Sequence, residues 1–354
     1  MPELSPALLI AFVIMVSLNA YALLAGADFG GGVWDLLATG PRRERQRHLI
    51  AEAMGPVWEA NHVWLILVVV LLFTCFPPVF SRLAVLLHVP LTLMLIGIVL
   101  RGSAFTFRSY DRGTDQLQRR WGSVFSVASL VTPLLLGIMI GTVAAGRLTV
   151  AGRGSDFTET YLRPWLSPFT VAIGCFALFL FAFLAAVYLT VEAKEPELKE
   201  DFRRRALMAG GAVFLAAMAA LLLASRDESG APLMWEGLIH SPWALVFQGA
   251  TAVSAVIALV GLGMRRFLLA RVAAAAQTSL ILWGWAVAQY PYLIPPDLTI
   301  EEAAAPAVTL KLVLGALAVG GALLIPSLYY LFRVFKSQRE VSPPSPTSPR
   351  PSSS

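Results

Sequence analysis

Two carboxylates, Glu52 and Glu59, stand seven residues apart, and Glu59 is followed by Asn61 and His62 and bracketed by Trp58 and Trp64. Seven residues are two helical turns, so both carboxylates lie on one face of a helix. The stretch MGPVWEANHVW leads directly into LILVVVLLF, a run apolar enough to enter a bilayer. Glu59 is about eleven residues, or roughly 16 Å, along a helix that starts beyond His48, which places it deep in hydrocarbon if that helix begins at the surface. A carboxylate in a low dielectric favours its neutral form. It then takes and releases protons near neutral pH where water or another carboxyl is in reach. That is relay chemistry. The plainer readings are that Asn61 and His62 satisfy each other or a kinked backbone, and that the tryptophans pack or anchor at the interface.

Metal chemistry is the alternative for the same residues. Glu59 and His62 form a Glu-x-x-His pair, which resembles half of a carboxylate-bridged site, but the sequence has no second such pair. Of the histidines, His48 falls in a basic loop and His240 in a connection on the opposite side. His62 and His88, on adjacent spans, are left as a potential haem pair. Cys75 and Cys175 lack CxxC spacing and read as small apolar filler. No metal site is expected in this chain.

The elements that must hold these residues are membrane helices. The sequence is 57% hydrophobic and 14% charged, with a mean hydropathy of +0.71, well outside the range of a soluble domain. Apolar runs long enough to cross a bilayer as helix recur at about residues 5–27, 57–80, 82–101, 121–146, 165–190, 207–224, 243–264, 272–291 and 307–332. The expected class is an all-α polytopic protein with about nine spans. A short echo between Arg47-His-Leu-Ile-Ala and Arg205-Ala-Leu-Met-Ala suggests two four-helix bundles plus one peripheral helix. Residues 1–340 form the membrane domain, and the Pro/Ser-rich stretch 341–354 is expected to be a disordered tail. The first run has no basic residues before it and is too long for a cleaved signal, so it stays as the first span.

Lys and Arg crowd into alternate connections, among them Arg42 to Arg47, Arg108 to Arg120, Lys194 to Arg205, and Arg265 to Arg271. Positive loops stay in the cytoplasm. The N-terminus is therefore expected outside and the C-terminus inside, which requires an odd number of spans. The net charge of +5 then belongs to loops over anionic lipid, not to a nucleic-acid surface. Arg101, Arg265 and Arg266, near span ends, are expected to snorkel to the headgroups.

With those residues in place, the chain resembles subunit II of cytochrome bd-type quinol oxidases. The resemblance lies in Tyr21-Ala-Leu-Leu-Ala-Gly-Ala-Asp-Phe-Gly-Gly-Gly, Trp58-Glu-Ala-Asn-His-Val-Trp, and His88-Val-Pro through Arg101-Gly-Ser-Ala-Phe-Thr-Phe-Arg. It implies a heterodimer in the bacterial inner membrane whose haem b, haem d and outer-face quinol site belong to subunit I. It implies no catalytic residue in this chain, which would instead supply routes for protons and oxygen; a quinone or lipid is a further possible ligand. Carried over residue by residue, it assigns the proton pathway to Glu59, Asp28 and Asn61, with Trp58, Trp64 and Arg101 in support; helix spacing adds Glu52 to the pathway, and His62 and Thr106 join the supporting residues.

Four departures from the family's pattern matter. Ala25 stands where the first carboxylate of the Asp-Gly-Phe-Asp pattern would be, Ala27 replaces its aromatic, Ala60 replaces the glycine before Asn, and Thr106 replaces an acidic residue, so fewer carboxylates line the route. Either water and the Thr106 hydroxyl substitute, or protons travel partly elsewhere. Two readings from other classes stand beside the oxidase subunit: a stand-alone transporter built on the repeat, and a haem-bearing cytochrome using His62 and His88.

Overall fold

A computed structural model of the chain describes residues 5–110, 115–148, 156–226 and 230–338, without the side chains of 54–60, 105, 108–110, 115–119, 242, 325, 328–329 and 331–338. The expected tail, 341–354, lies outside the described residues. In chain order the elements are α1 (Pro6–Leu36), α2 (Arg43–Cys75), α3 (Pro77–Leu86), α4 (His88–Tyr110), α5 (Asp115–Ala144), α6 (Phe157–Tyr161), α7 (Pro168–Glu192), α8 (Pro196–Ala224), α9 (Pro232–His240), α10 (Pro242–Gly263), α11 (Phe267–Gln289), β1 (Tyr292–Ile294), β2 (Leu298–Thr299) and α12 (Ala307–Gln338). The strands form one small antiparallel hairpin. Helix starts follow the sequence: Pro6 and Pro168 occupy first-turn positions behind the capping hydroxyls of Ser5 and Ser167. Proline costs nothing there, because that N–H has no helical partner anyway.

Each of the nine expected runs contains a helix, but not each helix is a full span. Among the described residues seven helices are long and apolar enough to cross a membrane, and a bent pair makes eight. That pair is Asn61–Cys75 and Pro77–Leu86, broken by 116°. The expected run 57–80 is thus not one straight helix. Pro77 and Pro78 cannot donate to the preceding turn and push Phe76 out of the helical region, to φ −132° and ψ 59°. α4 restarts at His88, and its apolar part, His88–Ala104, is shorter than a usual span.

α1 packs on α2 and α5, and α4 on α5; α7 packs on α8 and α11, and α10 on α11; α1 and α5 also lie closely against α7. The described residues from 306 onward form a separate unit, whose helix α12 carries Pro326 within it.

The glycines of the first span explain how closely these helices meet. A Cβ on Gly30 would stand 2.0 Å from the carbonyl oxygen of Phe181, and one on Gly32 would stand 2.1 Å from the Ser129 hydroxyl. α1 therefore presses backbone to backbone on α7 and touches a polar side chain of α5, as small residues allow in membrane helices. The Trp34 indole N–H fixes the α1–α7 contact by donating to the Ala182 carbonyl at 2.7 Å.

Ion pairs gather the connections by side. Arg42 and Arg45 pair with Asp201 and Glu195, and Arg271 with Glu192. At the other end Arg82 pairs with Asp297 at 2.6 Å. Connections expected on one side of the membrane are joined to each other in each case.

Candidate functional site

The helices α1, α2, α4 and α5 enclose a charged cluster. Asp28 of α1 and Arg101 of α4 are 1% and 2% exposed. Arg101 grips the carboxylate with both terminal nitrogens, at 2.6 Å and 2.5 Å, and also donates to the Asp28 carbonyl at 3.0 Å. Its Nε donates to the Ser129 hydroxyl of α5 at 2.9 Å. The guanidinium carbon lies 4.7 Å and 4.8 Å from the ring centres of Phe29 and Phe125. Asn61 of α2 completes the set by donating to Asp28 at 3.0 Å.

Four helices thus converge on one carboxylate. The pair is electroneutral, and removing either partner would leave an uncompensated charge at a cost of about 3–5 kcal/mol. The fork of Arg101 matches the carboxylate geometry in a way that a point-charge ammonium could not. This corrects the expectation that Arg101 snorkels to the headgroups. α4 runs on to Tyr110 instead of ending at 101, so the residue sits within the helix, and Asp28 neutralises it there.

The structure brings together Asp28, Asn61 and Arg101 and leaves other expected members apart. The side chains of Glu59 and Trp58 lie outside the described residues. Glu52 is exposed on the chain, with the His48 ring nitrogen 3.9 Å from its carboxylate. Thr106 is exposed, and its hydroxyl donates to the Gly102 carbonyl at 3.0 Å. It bonds to its own helix and does not stand in for a missing carboxylate at the cluster. Trp64 packs on an apolar cluster formed by Tyr21, Ala22, Ala25, Phe29 and Phe181. Ala25 is 0% exposed within that cluster, so a carboxylate there would be desolvated among hydrocarbon. His62 is half-buried. The His88 ring has Nδ1 2.9 Å from the Val85 carbonyl and lies edge-on to Tyr161. Among the described residues no three His, Cys, Asp or Glu side chains are grouped to hold a metal.

Sequence reasoning missed a second buried carboxylate. Asp35 is 1% exposed and accepts from the Ser126 hydroxyl of α5 at 3.3 Å. Arg47 approaches its carboxylate at 3.8 Å and its carbonyl at 3.3 Å. The signal was present in the sequence: Asp35 follows Asp28 by seven residues, the same spacing that links Glu52 and Glu59.

A related arrangement sits at the α1–α2 turn. Arg42 grips Asp201 of α8 at 2.6 Å and 2.8 Å, and Gln46 donates to the same carboxylate at 2.9 Å. Gln46 in turn accepts from Arg205 at 2.7 Å, whose guanidinium lies over the rings of Trp34 and Phe202. The Asp201 carboxylate holds the Arg42 pKa above its ordinary value, through the hydrogen bond first and the charge second.

Fold and site together define a polytopic membrane protein with a paired charged cluster built into its helices. A family model described as cytochrome bd terminal oxidase subunit II matches residues 6–335, so the chain belongs to that family. A putative cytochrome bd menaquinol oxidase subunit II of Bacillus subtilis is 23% identical over 94% of this chain and 96% of its own length. The cytochrome bd-I ubiquinol oxidase subunit 2 of Escherichia coli K12 is 28% identical over 38% of this chain and 35% of its own length. Among solved structures, a chain of the bd oxidase from Geobacillus thermodenitrificans has the same fold, with a TM-score of 0.76, 24% identity, and coverage of 93% of this chain and 98% of that one.

Proposed function

We propose that the chain is the non-haem subunit of a bd-type quinol:oxygen oxidase, set beside a haem-bearing subunit I that reduces dioxygen to water. Its own task in this reading is to bring protons, and with them oxygen, to the partner's site. Haem b and haem d are assigned to that partner, quinol is the substrate of the complex, and no catalytic residue is assigned here. The complex lies in the bacterial inner membrane, with the N-terminus outside and the C-terminus cytoplasmic. Family membership over residues 6–335 supports the subunit assignment over the transporter and cytochrome readings.

The observation that carries the proton role is the buried Asp28–Arg101–Asn61 cluster, because buried polar groups in membrane helices are costly and mark ion or proton paths. Asp28 is held in this reading by Arg101 and by Asn61, which stands two residues from Glu59 in the same helix. Glu59 takes the proton, Glu52 lies two turns nearer the basic loop, and Trp58, Trp64, His62, Arg101 and Thr106 line or support the path. The placement of the termini rests on the Lys and Arg distribution.

Glu59→Gln tests the proposal in the assembled complex. Gln keeps size and a hydrogen bond but cannot ionise, whereas Asp keeps the titrating group. Gln is expected to lower quinol-driven oxygen consumption by about 10² or more at normal haem content, with Asp the milder change. Near wild-type turnover in the Gln variant would defeat the proton role.

A further inference from the structure

We infer that a cavity between α9, α11 and the β-hairpin binds a primary ammonium group, the ethanolamine headgroup of a membrane lipid. The inference needs only the membrane spans and is independent of the proton role proposed above.

The cavity holds about 190 Å³ and lies where the short helix α9 meets the end of α11. The two backbones are pressed together there, since a Cβ on Gly237 would stand 2.2 Å from the Ala288 carbonyl oxygen. Ala144 at the end of α5 and Pro295 in the hairpin turn complete the walls. The volume falls short of the roughly 300 Å³ at which pockets for drug-sized ligands begin, so it suits a small polar group.

Glu236 of α9, Gln289 at the end of α11, and Tyr290 and Tyr292 line this space, and no basic side chain does. Among the described residues the exposed Glu236 carboxylate has no hydrogen bond or ion pair. The Gln289 amide is oriented by its own bonds, with Nε2 donating to the carbonyls of Tyr292 and Leu293 at 3.3 Å and 3.1 Å. Its oxygen is the other end of the amide and is buried without a donor. The lining thus offers a negative group, an acceptor in need of a donor, and two aromatic rings. Together these select a cation that carries N–H groups. A quaternary ammonium would use the charge and the rings but has no N–H for Gln289.

An exposed glutamate on a short helix is ordinarily no more than a solvated charge, and Gln289 alone would be a brace for the hairpin. What sets them apart is that they share one cavity at the depth of lipid headgroups. The cavity lies at the start of α10 and the end of α11, where Trp243 and Tyr290 are exposed, as aromatic residues are at a membrane interface. Leu233 on its lining and Leu245 in the first turn of α10 are exposed as well, an apolar surface for acyl chains.

The test reconstitutes the purified oxidase complex in phosphatidylcholine discs with rising fractions of phosphatidylethanolamine and counts the ethanolamine lipids retained per complex by native mass spectrometry. Glu236→Gln keeps the size and removes the charge at an exposed position, whereas Glu236→Asp keeps the charge. Wild type is expected to retain one ethanolamine lipid more than Glu236→Gln at low fractions. The half-saturating fraction should rise by about tenfold or more in Glu236→Gln, as the loss of a charge-assisted hydrogen bond implies, with Glu236→Asp between the two. Equal retention by wild type and Glu236→Gln at every fraction would overturn the inference. Radiolabelled ethanolamine, added to the complex in pure phosphatidylcholine discs, separates the lipid from a soluble amine. No binding is expected there; binding that Glu236→Gln abolishes would overturn the lipid as the source of the ammonium group.

Discussion

The Asp28 and Asp201 clusters use the same chemical parts. Each has a carboxylate held by an arginine fork and by an amide of α2, Asn61 in one and Gln46 in the other. Their surroundings differ: the Asp28–Arg101 side chains are 1% and 3% exposed, whereas those of Asp201 and Arg42 are 15% and 34% exposed. Water can solvate either member of the outer pair when its partner is lost, but it cannot reach the inner one. The comparison teaches that the value of an ion pair here is set by what happens to the charge left behind, more than by the bond itself.

Breaking the inner pair should give the largest effect. Arg101→Leu leaves the Asp28 carboxyl buried without its partner and is expected to cost about 3–5 kcal/mol, read as a lower thermal midpoint of the detergent-solubilised complex or as loss of the subunit from it. The double variant Asp28→Asn with Arg101→Leu removes both charges and should recover most of that loss. A double variant as unstable as the single one would show that packing, not charge, holds the site.

Lysine exchange sharpens the comparison at an intermediate level. Lysine keeps the charge but loses the two-pronged geometry and the contacts with Phe29 and Phe125. Arg101→Lys should lower the midpoint clearly, by an amount between wild type and Arg101→Leu. Arg42→Lys should be nearly silent. Equal effects at the two positions would mean that burial does not separate the clusters.

Much of the fold was legible because bilayer thickness dictates the length of an apolar run, and each of the nine runs holds a helix. The break at Phe76 was less legible, although Pro77 and Pro78 announce it. Arg101 was misread for a physical reason: hydropathy alone ends a span at the first arginine, while a buried counter-ion on another helix lets the helix continue. That partner is 73 residues away in sequence, beyond any local pattern. Asp28 and Asn61 entered through the family's motifs, and their meeting required the fold. Ser126 and Ser129 could have been found, since hydroxyls recur at every third residue from Ser123 to Thr132 in α5. What sequence could not tell is that these two face Asp35 and Arg101 instead of lipid.

The smallest expected effect is at Arg42. Arg42→Gln leaves Asp201 with Gln46 still donating to it and with water within reach, so the midpoint should fall by less than about a fifth of the Arg101→Leu change. The Arg42 pKa is raised by Asp201, and the sign of the linkage follows. Stability from a raised basic group is fully present below its unfolded pKa and is lost only as pH rises through the folded value. The arginine side of this pair therefore contributes constantly across neutral pH. Salt is the variable that should act, because an exposed pair is screened over about 10 Å at roughly 0.1 M ionic strength. Raising ionic strength should erase the difference between wild type and Arg42→Gln while leaving that between wild type and Arg101→Leu almost intact. A salt-insensitive loss at Arg42 would place the outer cluster in the same class as the inner one and break the comparison.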